Sequence, residues 1–342
     1  MSGLSRLYHE QQQALGARWF GRGVEDLNKR NYSRAVTEFR AALVYSRDDY
    51  SYQLNLAQAL LGMQRTAEAS AYLANLWDRE PDDGLVNLEL ARIAARQGET
   101  NAALRYYHNA IYATWSRSQP EDPETARRTA RLELADYLLR NNATEQAQAE
   151  LIALAANLGT DPAERVQAGD YFLRARDYEH ALEQYRESLK AKRRYPAALA
   201  GAGLAAFELG RYDVAAQYWR SEAAVNPNDT VNAAKLQVAE TVIRTDPFRA
   251  GLTSVEKGKR VIDAFNATGR RMKFCPANPG LQAKWEKLKP QMTSSALRRN
   301  PDLMKEGMEV VFSIEQQSGC GSATPEDEAM VLIARARQGT EP

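Results

Sequence analysis

Asp177-Tyr178-Glu179-His180-Ala181 and Arg211-Tyr212-Asp213-Val214-Ala215 are two copies of one pattern, and Asn31-Tyr32-Ser33-Arg34-Ala35 is a third. Four residues after the alanine of each copy comes a large side chain: Phe39, Tyr185 or Trp219. A small and a large residue at i and i+4 share one face of a helix. Their return at a fixed interval signals structural units that bury that face against their neighbours. The surroundings agree. Alanine supplies 55 of the 342 residues, 46 of them before residue 251, and it is the best helix former.

Laid out at a period of 34, the chain divides into six units, 16–49, 50–83, 84–117, 128–161, 162–195 and 196–229. A small residue of a first helix recurs as Gly23, Ala57, Ala91, Ala135, Gly169 and Gly203. A second, in the following helix, recurs as Ala35, Ala69, Ala103, Ala147, Ala181 and Ala215. The large partner is Phe39, Leu73, Tyr107, Leu151, Tyr185 and Trp219. Pro81 and Pro227 stand where a second helix must stop, since proline lacks the N–H. The pattern resembles the tetratricopeptide repeat, a unit of two antiparallel helices. The resemblance covers residues 16–229 and implies an all-α, right-handed α-α superhelix, a solenoid that binds protein or peptide partners.

Outside the six units, residues 1–15 are expected to lengthen the first helix. Residues 118–127, with two prolines, read as an insertion whose Glu121-Asp122-Pro123 starts an extended helix. Residues 230–342 read as a partial seventh repeat, Val231 to Ile243, without a second helix of its own, followed by a helical cap. Within the cap, Thr253 and Glu256 have capping-box spacing. Asn300-Pro301 and Thr324-Pro325 mark two further helix starts, the first of these helices ending at Gly319.

The resemblance also implies a partner surface. In this family the fifth, ninth and thirteenth residues of each first helix face a concave groove. The fifth are Phe20, Leu54, Leu88, Leu132, Val166 and Ala200; the ninth include Arg92, Asp136 and Asp170; the thirteenth include Arg96, Arg140 and Arg174. The Lys/Asn clamp of chaperone-binding members is missing from these positions. An apolar stripe flanked by arginines instead suits a peptide with apolar anchors and acidic flanks. Asp136 with Arg140, and Asp170 with Arg174, are also spaced to satisfy each other at i,i+4.

Other chemistry is thin. The three histidines show no metal-ligand spacing, and no HExxH, CxxC, GxSxG or phosphate-loop motif occurs. Gly21-Arg-Gly23 and Gly201-Ala-Gly203 lie within first helices with no strand before them, so helix packing explains them. No catalytic residue, metal or cofactor is expected. With 45 Lys+Arg against 44 Asp+Glu, no nucleic-acid partner is expected either. The tail conceals a division, however: residues 246–299 hold 12 basic and 4 acidic side chains, and residues 300–342 hold 3 and 8. Either the halves neutralise each other, or Arg270, Arg271, Lys273, Arg298 and Arg299 form a basic patch. One cysteine lies in each half, Cys275 and Cys320, in positions that fit a disulfide stapling the cap.

No stretch is apolar enough for a membrane span, and Met1–Glu10 has no signal-peptide core. The default expectation is the cytoplasm, replaced by the periplasm if the cysteines pair and a leader was removed. Besides a non-catalytic scaffold, two classes stay open: an assembly subunit of a cell-envelope complex, and an enzyme with its site in the C-terminal third.

Overall fold

The computed structural model describes residues 3–115, 122–317 and 324–338. Every regular element among them is a helix, apart from one isolated bridge between Asp83 and Thr114. The chain forms two compact units, Met1–Ala156 and Asn157–Pro342.

In the first unit, α1 (Gly3–Asn28), α3 (Tyr50–Gly62), α5 (Gly84–Gln97) and α7 (Pro123–Arg140) are first helices. Their partners are α2 (Tyr32–Tyr45), α4 (Thr66–Arg79), α6 (Thr100–Tyr112) and α8 (Thr144–Ala155). The second unit opens with two more hairpins, α9 (Pro162–Arg174) with α10 (Tyr178–Ala191), and α11 (Pro196–Glu208) with α12 (Tyr212–Ala223). Residues Ser118–Glu121 of the expected insertion lie outside the described residues; Asp122 caps α7 and Pro123 begins it.

The same residues start the first helices again and again. Asp49, Asp83 and Asp161 end their units, and each accepts a hydrogen bond from a backbone N–H in the first turn of the next helix. Such a cap satisfies one of the four donors a helix start leaves unpaired. The turn between the two helices of a unit is equally regular. Its fifteenth residue is left-handed in all six units: Arg30, Gln64, Gly98, Asn142, Arg176 and Gly210, with φ between 56° and 74°. A non-glycine residue there costs roughly 1–2 kcal/mol. Arg176→Gly is therefore expected to raise the urea midpoint slightly, and Gly210→Ala to lower stability by about 1 kcal/mol. Equal midpoints for the two variants would contradict this.

Packing explains the small residues. The recurring alanines and the large residues of the second helices are all buried, from Phe39 and Leu73 to Tyr185 and Trp219. Where the large residue is Phe39, Tyr185 or Trp219, the facing small residue is glycine, and a Cβ there would come within 2.4–2.7 Å of the ring. Where it is Leu73 or Leu151, alanine suffices. Gly201 closes on the other side of Tyr185. The Gly201-Ala-Gly203 segment is thus a packing surface for rings.

The C-terminal region departs from expectation in one respect. Helix α13 (Thr230–Thr245), capped by Asp229, continues the register as a seventh first helix. It has a partner: α18 (Pro325–Gln338), the last helix, packs against it. Arg244 at the end of α13 pairs with Glu326 in the first turn of α18 at 3.2 Å, although 82 residues separate them. A first helix ending beside the start of a second is the hairpin arrangement of the other units. The seventh repeat is therefore completed by a distant helix.

The intervening chain forms a small bundle of α14 (Ser254–Arg271), α15 (Pro279–Leu288), a 3-10 turn (Lys289–Gln291), α16 (Ser294–Arg299) and α17 (Asp302–Gln317). The Thr253–Glu256 capping box is present in full. Phe265 and Trp285 stack at its centre with ring centroids 5.0 Å apart, and Met308, Val311 and Ile314 pack in the same core. Helices α15 and α16 are additions to the sequence reading, although Asn278-Pro279 carried a readable cap. Gly319, the expected end of α17, lies outside the described residues.

Candidate functional site

In the Met1–Ala156 unit the expected groove positions separate into two classes. Leu54 and Leu88 are 5% and 2% exposed and belong to the core. Phe20 is half-buried, stacked on Tyr52 with centroids 4.9 Å apart, and Leu132 is half-buried as well. In the other unit, Val166 is buried too. The apolar stripe is thereby corrected. Three of its six side chains, Leu54, Leu88 and Val166, are covered within their own units, leaving Phe20, Leu132 and Ala200 with partial exposure.

Polar groups dominate what remains. Arg92 donates to both oxygens of Glu133 on α7, at 2.9 and 2.6 Å, and to Glu89 one turn back on α5, at 3.0 Å. Gln58 of α3 reaches Glu89 from the other side at 3.4 Å. A ladder of polar contacts so joins three successive first helices. Burial alone would lower the Arg92 pKa, but the Glu133 and Glu89 carboxylates outweigh it and hold it above the ordinary value. Beneath the ladder, burial, followed by the charge of Glu133, pushes the Tyr107 hydroxyl up to about 12.

Arg92 is therefore committed to structure. Arg96 and Arg140 are exposed and occupy the same position in consecutive repeats. Arg140 pairs with Asp136 at 2.8 Å, an i,i+4 contact on the surface that contributes little and exchanges readily. In the other unit, Asp170 accepts a hydrogen bond from Tyr185 at 2.6 Å, and the Arg174 guanidinium lies 5.0 Å from the Tyr171 ring centroid. Glu89 and Glu133 escaped the sequence reading. Their signal was legible: an acid at the sixth position of two consecutive repeats, three before Arg92 in the first.

A model of the tetratricopeptide repeat matches residues 20–62, 54–123 and 166–229. The chain belongs to the tetratricopeptide repeat family. Its all-α repeat fold is that of an interaction scaffold for protein or peptide partners. Among solved structures, the C-terminal part of a TPR repeat-containing protein from Cytophaga hutchinsonii is similar over 71% of this chain and 92% of its own, at 12% identity and a TM-score of 0.50. Pseudomonas aeruginosa PilF is similar over 66% and 98%, at 15% identity and a TM-score of 0.45. YrrB, described as a TPR protein with an unusual peptide-binding site, is similar over 58% and 96%, at 14% identity and a TM-score of 0.43. At such identities the likeness is one of fold. No curated protein matches the sequence.

Among the described residues, no group of three or more His, Cys, Asp or Glu side chains is placed to hold a metal ion. No helix among them is long and apolar enough to cross a membrane. The basic patch is corrected at one position. Arg271, its side chain 10% exposed, pairs with Glu315 and sits 3.8 Å from Asp327, so it links the basic half of the tail to the acidic half. Arg270, Lys273, Arg298 and Arg299 are exposed. Cys275 is 5% exposed, and no free cysteine occurs among the described residues. Cys320 lies outside them, and the bond between the two stands as a proposal.

Proposed function

We propose that this tetratricopeptide repeat protein is a non-catalytic scaffold whose first-helix face in the Met1–Ala156 unit docks an acidic segment of a protein partner. The observation that carries the reading is the division of labour among three arginines. Arg92 is held by Glu89 and Glu133, while Arg96 and Arg140 stay exposed at the same position of consecutive repeats, Arg140 in a surface pair with Asp136. Two exposed guanidiniums one repeat apart present paired donors to carboxylates on one extended or helical segment. Phe20 and Leu132 add a limited apolar contact. The withdrawal of Leu54 and Leu88 into the core makes charge, more than burial, the source of affinity. Peptides selected from a displayed library on the immobilised chain test this. Acidic sequences are expected, and Arg96→Glu with Arg140→Glu is expected to weaken them roughly tenfold or more. Unchanged binding to the double variant sinks the proposal.

The buried Cys275, which is not a free thiol, favours a second reading, an assembly subunit of a cell-envelope complex in an oxidising compartment. Mass spectrometry of alkylation-quenched protein from its native host tests it. An intact Cys275–Cys320 bond supports that reading, and two alkylated thiols remove it.

A further inference from the structure

A cavity of about 270 Å³ lies in the Asn157–Pro342 unit, bordered by the end of α13, one side of α14, Glu315 of α17 and the first turns of α18. Most of the charges around it are engaged with the protein itself. Arg244 pairs with Glu326 at 3.2 Å. Arg260 donates to the carbonyl oxygens of Ile243 and Asp246 at 3.0 and 2.8 Å. Glu315 is held by Arg271 and by the Thr268 hydroxyl, the latter at 3.0 Å. Asp263 and Arg270 are different. Both line the cavity, both are exposed, and neither side chain has an ion pair or hydrogen bond among the described residues.

These two residues are seven apart on α14, close to two turns, so they share a face and stand about 10 Å apart along the axis. Side chains on a helix lean toward its N-terminus. Arg270 therefore reaches back toward Asp263, with the small Ala264 and Ala267 between them and Met330 also on the wall. The cavity thus offers a carboxylate at one end, a guanidinium at the other and methyl groups in the middle. Its volume falls just below the roughly 300–1,000 Å³ of typical ligand pockets, which suits a small ligand.

We propose that this cavity binds a small zwitterion of about dipeptide size, its carboxylate on Arg270 and its ammonium on Asp263. Both contacts are charge-assisted hydrogen bonds, the stronger kind. The site lies apart from the arginine face described above and does not depend on it. Titration of the full chain with L-alanyl-L-alanine, followed by backbone amide NMR, tests it. Saturable shifts are expected in α14 and α18. N-acetylation or C-amidation of the dipeptide, and Asp263→Asn or Arg270→Gln in the protein, should each weaken binding tenfold or more. Since both side chains are exposed, the variants are expected to keep the fold, which the unperturbed spectrum reports. Absence of saturable shifts with the zwitterion overturns the proposal. So does equal binding of the capped peptides, or binding untouched by either substitution.

Discussion

Replacing Trp219 with alanine is expected to lower the stability of the Asn157–Pro342 unit by about 3–5 kcal/mol. Trp219 is 1% exposed and is the largest fully buried side chain among the described residues. It fills the space left by Gly203, whose missing Cβ would lie 2.4 Å from the indole nitrogen, and it packs against Phe207 with centroids 5.5 Å apart. Removing the ring opens a cavity between two helices that alanine and glycine already bring close together, so little relaxation can fill it. Trp219→Phe provides the contrast. The indole N–H has no hydrogen-bond partner among the described residues, so phenylalanine loses some area but also removes an unpaired buried donor. Its cost is expected to be well under half that of alanine. Urea unfolding followed by circular dichroism measures both. Similar midpoints for the two variants would show that packing against Gly203 is not what holds the sixth repeat.

Arg271→Ala is expected to cost a comparable amount, about 3–5 kcal/mol, through electrostatics instead of a void. The Glu315 side chain is 2% exposed and the Arg271 side chain 10%, so deletion of the guanidinium leaves a carboxylate buried without its counter-charge. The Thr268 hydroxyl, at 3.0 Å, is a neutral donor and cannot replace the lost charge. Asp327, in the first turn of α18, also loses a cation at 3.8 Å. The damage therefore reaches the helix that completes the seventh repeat. Replacing both partners, Arg271→Met with Glu315→Leu, removes the uncompensated charge and is expected to restore most of the loss. A double variant as unstable as the single one would mean that shape, not charge, sets the cost.

How much of this was legible depends on what leaves a trace at fixed spacing. Two antiparallel helices must meet at the same two small residues and one large residue in every unit, so Ala35, Ala181, Ala215 and their partners announced the repeats. The left-handed turn residue left a weaker trace, because Arg30, Gln64, Asn142 and Arg176 occupy a position that only Gly98 and Gly210 advertise. The role of α18 left none. Met330 and Ile333 mark an amphipathic helix, but no periodicity says that its partner lies across four intervening helices. The candidate site suffered from a related limit. Spacing tells which face of a helix a residue occupies, not how deeply the surrounding helices cover that face. Leu54, Leu88 and Val166 accordingly have the spacing of anchors, although they are core residues.

The proposed function places partners on the first-helix face of the Met1–Ala156 unit. Hydrogen–deuterium exchange of the full chain, with and without a saturating acidic peptide selected on it, tests that most directly. Protection is expected in α5 and α7, around Arg96 and Arg140, and in the adjoining part of α3. Protection confined to α2, α4, α6 and α8, or none in this unit, would place the docking face elsewhere and overturn the proposed function.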